Sequence, residues 1–216
     1  FNVKIENKNI SRIDFDHTKS TYGDELGDYD EINGKAIFFD DEDYKQDKEY
    51  IAGNVEAYFM NVENIEDSIH DLLDSISGDH VGFSEYFNQQ NKINKKIREL
   101  LNLSDEDVEM ISCNFIYFHR LKVEKKYRGL GIGKTLIHST INDYKRDASI
   151  AFLKAAPLQF TNKEIDNNTT EEDEFQHITE NASRKKLIKL YESYNFKEIP
   201  NSKGDMVAYI GDWFHS

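Results

Sequence analysis

The sequence predicts a mixed α/β domain in which antiparallel and parallel strands share one sheet. Three observations predict it. A strand, a glycine-rich turn and a helix follow one another over 115–144. Two strands precede them, at 35–40 and 50–60, and the charged turn between the two suits an antiparallel pair. A further buried strand, 148–155, is reached through the helix, so it should lie parallel to the central strand.

The central stretch reads FIYFHRLKVEKKYRGLGIGKTLIH over 115–138. Its first nine residues are rich in aromatic and β-branched side chains, which suits a buried strand. The polar residues 124–127 break the run. Arg128, Gly129, Leu130, Gly131, Ile132 and Gly133 follow, and Leu136, Ile137 and Ile141 then mark a helix over 134–144. Three glycines in five residues remove the Cβ atoms that would keep a ligand from the backbone. Successive N–H groups at a helix start can point at one anion, and the helix dipole favours negative charge there. The stretch 129–135 is therefore expected to bind a phosphate or pyrophosphate.

Three templates compete for that ligand. A Walker A loop would use Gly133, Lys134 and Thr135 as its end, but its first glycine would fall on Arg128. A dinucleotide fingerprint begun at Gly129 would need glycine where Lys134 stands, and the later acidic residue of a βαβ unit is missing. Arg128-x-x-Gly131-x-Gly133 after Leu121-Lys122-Val123 fits a third template without gaps. It resembles the acetyl-CoA pyrophosphate loop of the GNAT acyltransferase superfamily.

At 216 residues the chain can bury one sizeable core and carry an insertion, and it is read as a single domain over 1–216. No apolar run is long enough to cross a membrane and no signal peptide is evident. The chain opens on Phe1, and the native start is expected to be missing or trimmed. One cysteine, Cys113, excludes an internal disulfide and a multi-cysteine metal site, which suits a reducing cytoplasm. The net charge of −14 repels nucleic-acid phosphates unless a basic patch is hidden. Basic residues gather at 92–98, 122–128 and 184–189, and the second group adjoins the expected pyrophosphate site.

The remaining elements follow in order. Residues 1–49 are poorly assigned: Val3 and Ile5 alternate in a possible first strand within 3–13, and 20–33 is acidic and reads as a loop. Residues 40–49 read as a charged turn, and Gly53 marks a bulge in the strand after it. The segment 62–103 is helical. Ile65, Ile69, Leu72, Leu73 and Ile76 share one helix face that Gly78 ends. Phe83, Tyr86 and Phe87 suit a short second helix over 81–87, and Ile93, Ile97, Leu100 and Leu101 mark a third. The stretch 161–176 is an acidic, mobile loop by composition. A helix over 183–193 with Ser183 as N-cap and a hairpin of strands 195–199 and 205–210 complete the chain.

The order of antiparallel strands, central strand, glycine loop, helix, parallel strand, helix and hairpin also resembles the GNAT fold. Leu190-Tyr191-Glu192-Ser193-Tyr194-Asn195-Phe196 is similar to the family's LYExxGF segment, with Asn195 in place of the usual glycine. Asparagine also adopts the left-handed conformation at a helix end. LLDSISGDHVGFSEYF (72–87) and LKAAPLQF (153–160) resemble a branch of bacterial and phage members. The likeness covers roughly 50–210 and is densest at 117–137.

The resemblance implies a fold and a chemistry. The central strand would splay from its parallel neighbour, and the pantetheine arm of acetyl-CoA (CoA) would pair with main-chain groups of Leu121, Lys122 and Val123. The pyrophosphate would sit on N–H groups of Gly129, Leu130, Gly131, Ile132, Gly133 and Lys134, with Arg128 beside it and Thr135 closing the loop. A Val123 N–H would face the charge developing on the acetyl oxygen. Tyr191 would protonate the departing thiolate; a packed core aromatic is the alternative. His119, on the strand face of Tyr117, Leu121 and Val123, is a candidate base, or else a satisfied rim histidine. Glu56 is a second candidate. His138 reads as structural, and His17, His70, His80, His177 and His215 lack ligand spacing with carboxylates, so no metal is expected.

The expected function is acetyl-CoA-dependent transfer to a primary amine of a small molecule or peptide. No nucleic-acid or membrane partner is expected, and a homodimer is left open. The alternatives are a non-catalytic CoA- or partner-binding module and a toxin-type enzyme acting on aminoacyl-tRNA.

Overall fold

The computed structural model describes residues 3–5, 8–22, 28–40, 49–65, 68–78, 80–157 and 179–213. Its strands are β1 (Val3–Ile5), β2 (Lys8–Tyr22), β3 (Tyr29–Asp40), β4 (Glu49–Met60), β5 (Phe115–Val123), β6 (Ile150–Lys154), β7 (Lys197–Glu198) and β8 (Asp205–Tyr209). They form one sheet in the order β1-β2-β3-β4-β5-β6-β8-β7. Only β5 and β6 run parallel; the other neighbours are antiparallel. The mixed sheet, the central strand and the order of the elements after it are those the sequence predicts.

Among the described residues two α-helices follow β5: α4 (Ile132–Tyr144) and α5 (Glu180–Glu192). Before it stand α1 (Ile69–Ile76), α2 (Lys95–Leu101) and α3 (Asp105–Met110). Alternation along β5 sends Ile116 and Phe118 to one face and Phe115 and Tyr117 to the other. On the first face they join Leu136, Ile137 and Ile141 of α4 and Ile188 and Tyr191 of α5. On the second they meet Leu73 of α1, Ile97 of α2 and the aromatic pair Phe83 and Tyr86. The Tyr86 hydroxyl donates to Asp205 Oδ2 at 2.6 Å and the Lys197 ammonium to the Leu100 carbonyl at 2.9 Å. These bonds tie the helical segment to β7 and β8, far along the chain.

Several expectations change. Within the acidic stretch 20–33, residues 20–22 and 29–33 belong to the paired strands β2 and β3 rather than to a loop. Tyr22 stacks on Tyr29 at 5.0 Å, and the Thr21 hydroxyl donates to Asp30 at 2.7 Å. Cross-strand contacts offset the poor strand propensity of its acidic residues. Helix α1 starts only at Ile69, where Ser68 accepts from the Asp71 N–H, and it ends at Ser77 in extended backbone, one residue before Gly78. Residues Val81–Tyr86 form a 3-10 turn rather than an α-helix. Ile93 lies outside α2, in a bridge with Phe87. Helix α3 has no counterpart in the periodicity; its start is built by a capping box between Ser104 and Asp107. Helix α5 begins at Glu180 on a Thr179 cap, so Ser183 lies inside it and is buried. The final hairpin strands are shorter than expected, at Lys197–Glu198 and Asp205–Tyr209.

Two expectations of detail hold. The β3–β4 register shifts where Ala36 faces Gly53 and Ile37 faces Ile51, one residue from the expected bulge. Asn195 has φ 67, the left-handed conformation that replaces glycine after α5. The charged turn at 41–48 and the acidic loop at 161–176 lie outside the described residues.

Candidate active site

The site is built on the second half of β5. Pairing with β6 runs from Phe115↔Ile150 to Phe118↔Leu153, whereas pairing with β4 continues to Val123. Among the described residues no strand pairs with β5 beyond Phe118 on the β6 side. The two parallel strands therefore part at Phe118, as the resemblance implies. The Glu124 N–H donates to the Ala52 carbonyl at 2.9 Å, and Val123 faces Gly53. Antiparallel pairs alternate in bonding, so Lys122 spends its N–H and carbonyl on β4 while Leu121 and Val123 turn theirs to the gap. Of the three expected pantetheine partners, the register thus offers Leu121 and Val123 and turns Lys122 away. A Cβ on Gly53 would lie 2.6 Å from the Lys122 carbonyl, so only glycine lets β4 approach this closely.

The chain then turns into α4. Buried Tyr127 anchors the turn in the core. Gly129 and Gly131 both have φ +80, and nothing lies within 4 Å of a Cβ built on either. The backbone is left-handed there and open on its outer side. The first helical bond is the Thr135 N–H to the Gly131 carbonyl at 3.0 Å, so the N–H groups of Ile132, Gly133 and Lys134 precede it and have no partner within the helix. The helix starts two residues earlier than the apolar spacing suggests, which brings Ile132 and Gly133 into its positive end. The Thr135 hydroxyl turns back to the Gly131 carbonyl at 3.1 Å, and Arg128 Nε donates to the Val123 carbonyl at 3.1 Å. That bond ties the loop to the end of β5. A left-handed glycine turn, a helix start and an unpaired strand edge fit a pyrophosphate joined to an extended amide arm.

Beneath the gap, a Cβ on Gly133 would touch Leu121 at 3.4 Å and Val123 at 3.6 Å, with the Tyr194 hydroxyl at 3.8 Å. Tyr191 is buried in the same cluster, its ring at 6.1 Å from Tyr194 and 6.3 Å from Phe196. Burial, reinforced by Tyr194, pushes its phenol up to about 12. At neutral pH Tyr191 holds its proton and can only give it. Burial also raises Tyr194.

His119 is the main correction. The register places Glu56 opposite Arg120 and Ala57 opposite Phe118, so His119 is the extra residue of a bulge. It keeps the face of Tyr117, but the bulge reverses the alternation and sends Leu121 and Val123 to the α4 face. His119 is exposed, and its Nδ1 lies 3.1 Å from Nε2 of His80, which is 1% exposed. Tyr58 stands over both imidazoles at 6.1 and 5.5 Å, and Tyr117 packs on His80 at 4.7 Å. Glu56 lies on the same face one row further and meets Arg120 at 3.6 Å. The contact with His80 is one the sequence does not reveal: the two histidines are 39 positions apart and no local spacing links them. His138 is exposed on α4 and His70 is exposed beside Asp71. The side chains of His17, His177 and His215 lie outside the described residues.

No family model and no curated protein matches the chain. Several solved structures are similar to it, two of them as follows. One is Arabidopsis thaliana NAA60 in complex with acetyl-CoA, at 16% identity and a TM-score of 0.43, covering 93% of this chain and 99% of that one. The other is arylalkylamine N-acetyltransferase 2 from Aedes aegypti, at 13% identity and a TM-score of 0.37, covering 82% of this chain and 73% of that one. Among the described residues no helix is long and apolar enough to cross a membrane, and no group of three or more His, Cys, Asp or Glu residues is arranged to hold a metal.

Proposed function

We propose that the chain is an N-acetyltransferase that uses acetyl-CoA and acetylates a primary amine by direct attack on the thioester. The observation that carries this reading is the parting of β5 from β6 directly before the glycine turn. A nucleotide triphosphate needs only the turn and the helix start. An extended amide arm with a pyrophosphate needs those groups and an unpaired strand edge as well, and CoA has both parts.

In this reading Leu121 and Val123 hold the arm, and Gly129, Leu130, Gly131, Ile132, Gly133 and Lys134 present N–H groups to the pyrophosphate. Arg128 and Thr135 brace the turn. Bound acetyl-CoA supplies an acetyl thioester: the amine nitrogen bonds to its carbonyl carbon, and the C–S bond breaks. The Val123 N–H, turned to the gap, faces the oxygen on which charge develops. Tyr191 gives its proton to the departing sulfur, and its raised pKa keeps that proton in place until then; the second proton, shed by the acetylated nitrogen as the amide forms, restores Tyr191. His119 takes the proton of the incoming ammonium, and Glu56 with Tyr58 lines its approach. A second reading gives the donor role to Tyr194, because its hydroxyl stands beside Gly133, Leu121 and Val123.

Titration calorimetry with CoA, ATP and NAD tests the site. Saturable binding of CoA alone is expected; ATP binding without CoA binding overturns the reading. Gly131→Glu sets a carboxylate into the turn and should lower CoA affinity by about a hundredfold or more, through charge repulsion at close range. Thiol release from acetyl-CoA over a panel of amines tests the reaction. Binding without release on any amine would leave a CoA-binding module.

A further inference from the structure

We infer that His80 is a positioning residue for His119 and that the two imidazoles act as one proton acceptor at the acceptor side of the cleft. The inference rests on the acetyltransferase reading for its chemical role, but its geometry stands without it. His119 Nδ1 and His80 Nε2 are 3.1 Å apart, and their rings meet edge to face at 5.0 Å. One of the two is exposed on a strand bulge; the other is 1% exposed, against Tyr58 and Tyr117.

That asymmetry decides where a proton goes. Charge on the buried ring loses its hydration, whereas charge on the exposed ring keeps most of it. The pair therefore takes its proton on His119. Protonated His119 carries N–H on both nitrogens, and Nδ1–H then donates to Nε2 of neutral His80. This charge-assisted bond favours the protonated form and fixes the ring, with Nε2 on the side of the ring away from His80. A second proton would place two charges 3.1 Å apart, so the first proton opposes the second. Among the described residues the groups facing it include Tyr58 and Glu56 from β4, Tyr117 and Arg120 from β5, and Glu31 from β3, which faces Tyr58 in register. Glu56 and Arg120 are themselves paired.

The proton balance is simple. An acceptor ammonium gives one proton to His119 Nε2 and becomes the neutral amine that attacks. The dyad returns that proton to solvent at the exposed ring before the next turnover. Nothing is oxidised or reduced, and no other reactant is required.

The bulge accounts for the arrangement. A regular β5 would follow Tyr117 with alternation that carries residue 119 over the helical segment and residue 121 with it. The extra residue leaves His119 on that face, against His80, while Leu121 returns to the cleft floor. The short turn Val81–Tyr86 follows His80 directly, and the His80 carbonyl accepts from the Phe83 N–H at 2.9 Å. Buried Phe83 and Tyr86 fasten that turn, so His80 is held by the core.

Imidazole NMR titration of the wild-type chain, His80→Gln and His80→Leu tests the dyad, and the pH profile of acetyl transfer by the same proteins tests its role. Gln keeps a carbonyl that can accept from His119; Leu does not. In the wild type the two histidines should titrate as a coupled pair. His80→Leu should move the His119 titration to lower pH, shift the acidic limb of the rate profile the same way and lower turnover roughly tenfold or more, with His80→Gln between the two. The amine KM should change less than turnover. Independent one-proton titrations of both rings, or a His119 titration identical in all three proteins, overturns the dyad. The NMR result holds whether or not the chain transfers acetyl groups; absence of turnover in the wild type with coupled titration would instead defeat the acetyltransferase reading. If His80→Leu fails to fold, the wild-type and His80→Gln titrations still decide.

Discussion

The two halves of β5 share one strand but differ in composition and in surroundings. Phe115, Ile116, Tyr117 and Phe118 pair on both sides and are buried on both faces. From His119 to Val123 the strand pairs only with β4, and none of its residues is buried. The first half is sheet core, where every backbone group and side chain serves the fold. The second keeps the backbone extended by one neighbour alone and leaves its other edge for chemistry. A bulge marks the boundary. The difference teaches that a binding edge can be made inside a sheet without shortening a strand, by ending one neighbour early.

The largest expected effect is on the cluster that backs the open half. Tyr191→Phe removes one hydroxyl and should slow acetyl transfer by about 10²–10⁴-fold in single-turnover measurements, with CoA affinity and stability close to wild type. Transfer at the parent rate would pass the donor role to Tyr194, and Tyr194→Phe then becomes the slow variant. In the paired half, Phe115→Ala should cost about 3–5 kcal/mol in denaturant unfolding, since the ring is fully buried. The folded fraction should still bind CoA normally. A loss of affinity without a loss of stability would erase the distinction between the halves. Val123→Pro sharpens it: the N–H it removes faces the gap, not β4. It should cut turnover by about 10²–10³-fold while the sheet survives, as loss of one oxyanion donor does. Lys122→Pro, one residue earlier, should instead destabilise the fold, because that N–H serves the β4 ladder.

The smallest effect is on alkaline stability. Tyr191 is raised from 10.0 to about 12 by burial, so below pH 10 both folded and unfolded chains keep the proton. Between pH 10 and 12 the unfolded chain ionises and the folded one does not. Stability then falls with rising pH by at most about 1.4 kcal/mol per unit for this group. Tyr86 and Tyr144 are raised in the same direction, chiefly by burial, and add to the loss. Unfolding curves at pH 9, 10 and 11 should show the decline, and it should be shallower in Tyr191→Phe.

Much of this was legible before the fold was known. The glycine spacing, the parallel crossover and the left-handed Asn195 all follow from local rules that a one-dimensional pattern carries. The bulge at His119 does not. Period-two alternation assumes an unbroken ladder, and an inserted residue changes every face assignment after it. The same blindness hides the gap, because Leu121, Lys122 and Val123 look alike in sequence and only the register with Gly53 separates their N–H directions. The His80–His119 contact joins a turn and a strand through tertiary packing alone. Helix α3 was missed for the opposite reason: its cap was in plain view at Ser104 and Asp107, but a single buried apolar residue, Val108, gave no period to follow.

The position of the helical segment has a kinetic consequence. Strands β4 and β5 are adjacent, yet the whole stretch 61–114 lies between Met60 and Phe115, which pair. The β2–β3–β4 meander can form from near neighbours in sequence. Bringing β5 alongside must close a loop of that length, and each doubling of a loop adds about 0.6 kcal/mol of closure entropy. Contacts of such range tend to form late. The strand that carries the cleft is then among the last to join the sheet. A partly folded chain has no paired β5 to hold a ligand, so recovery of CoA binding after dilution from denaturant should lag behind recovery of strand signal.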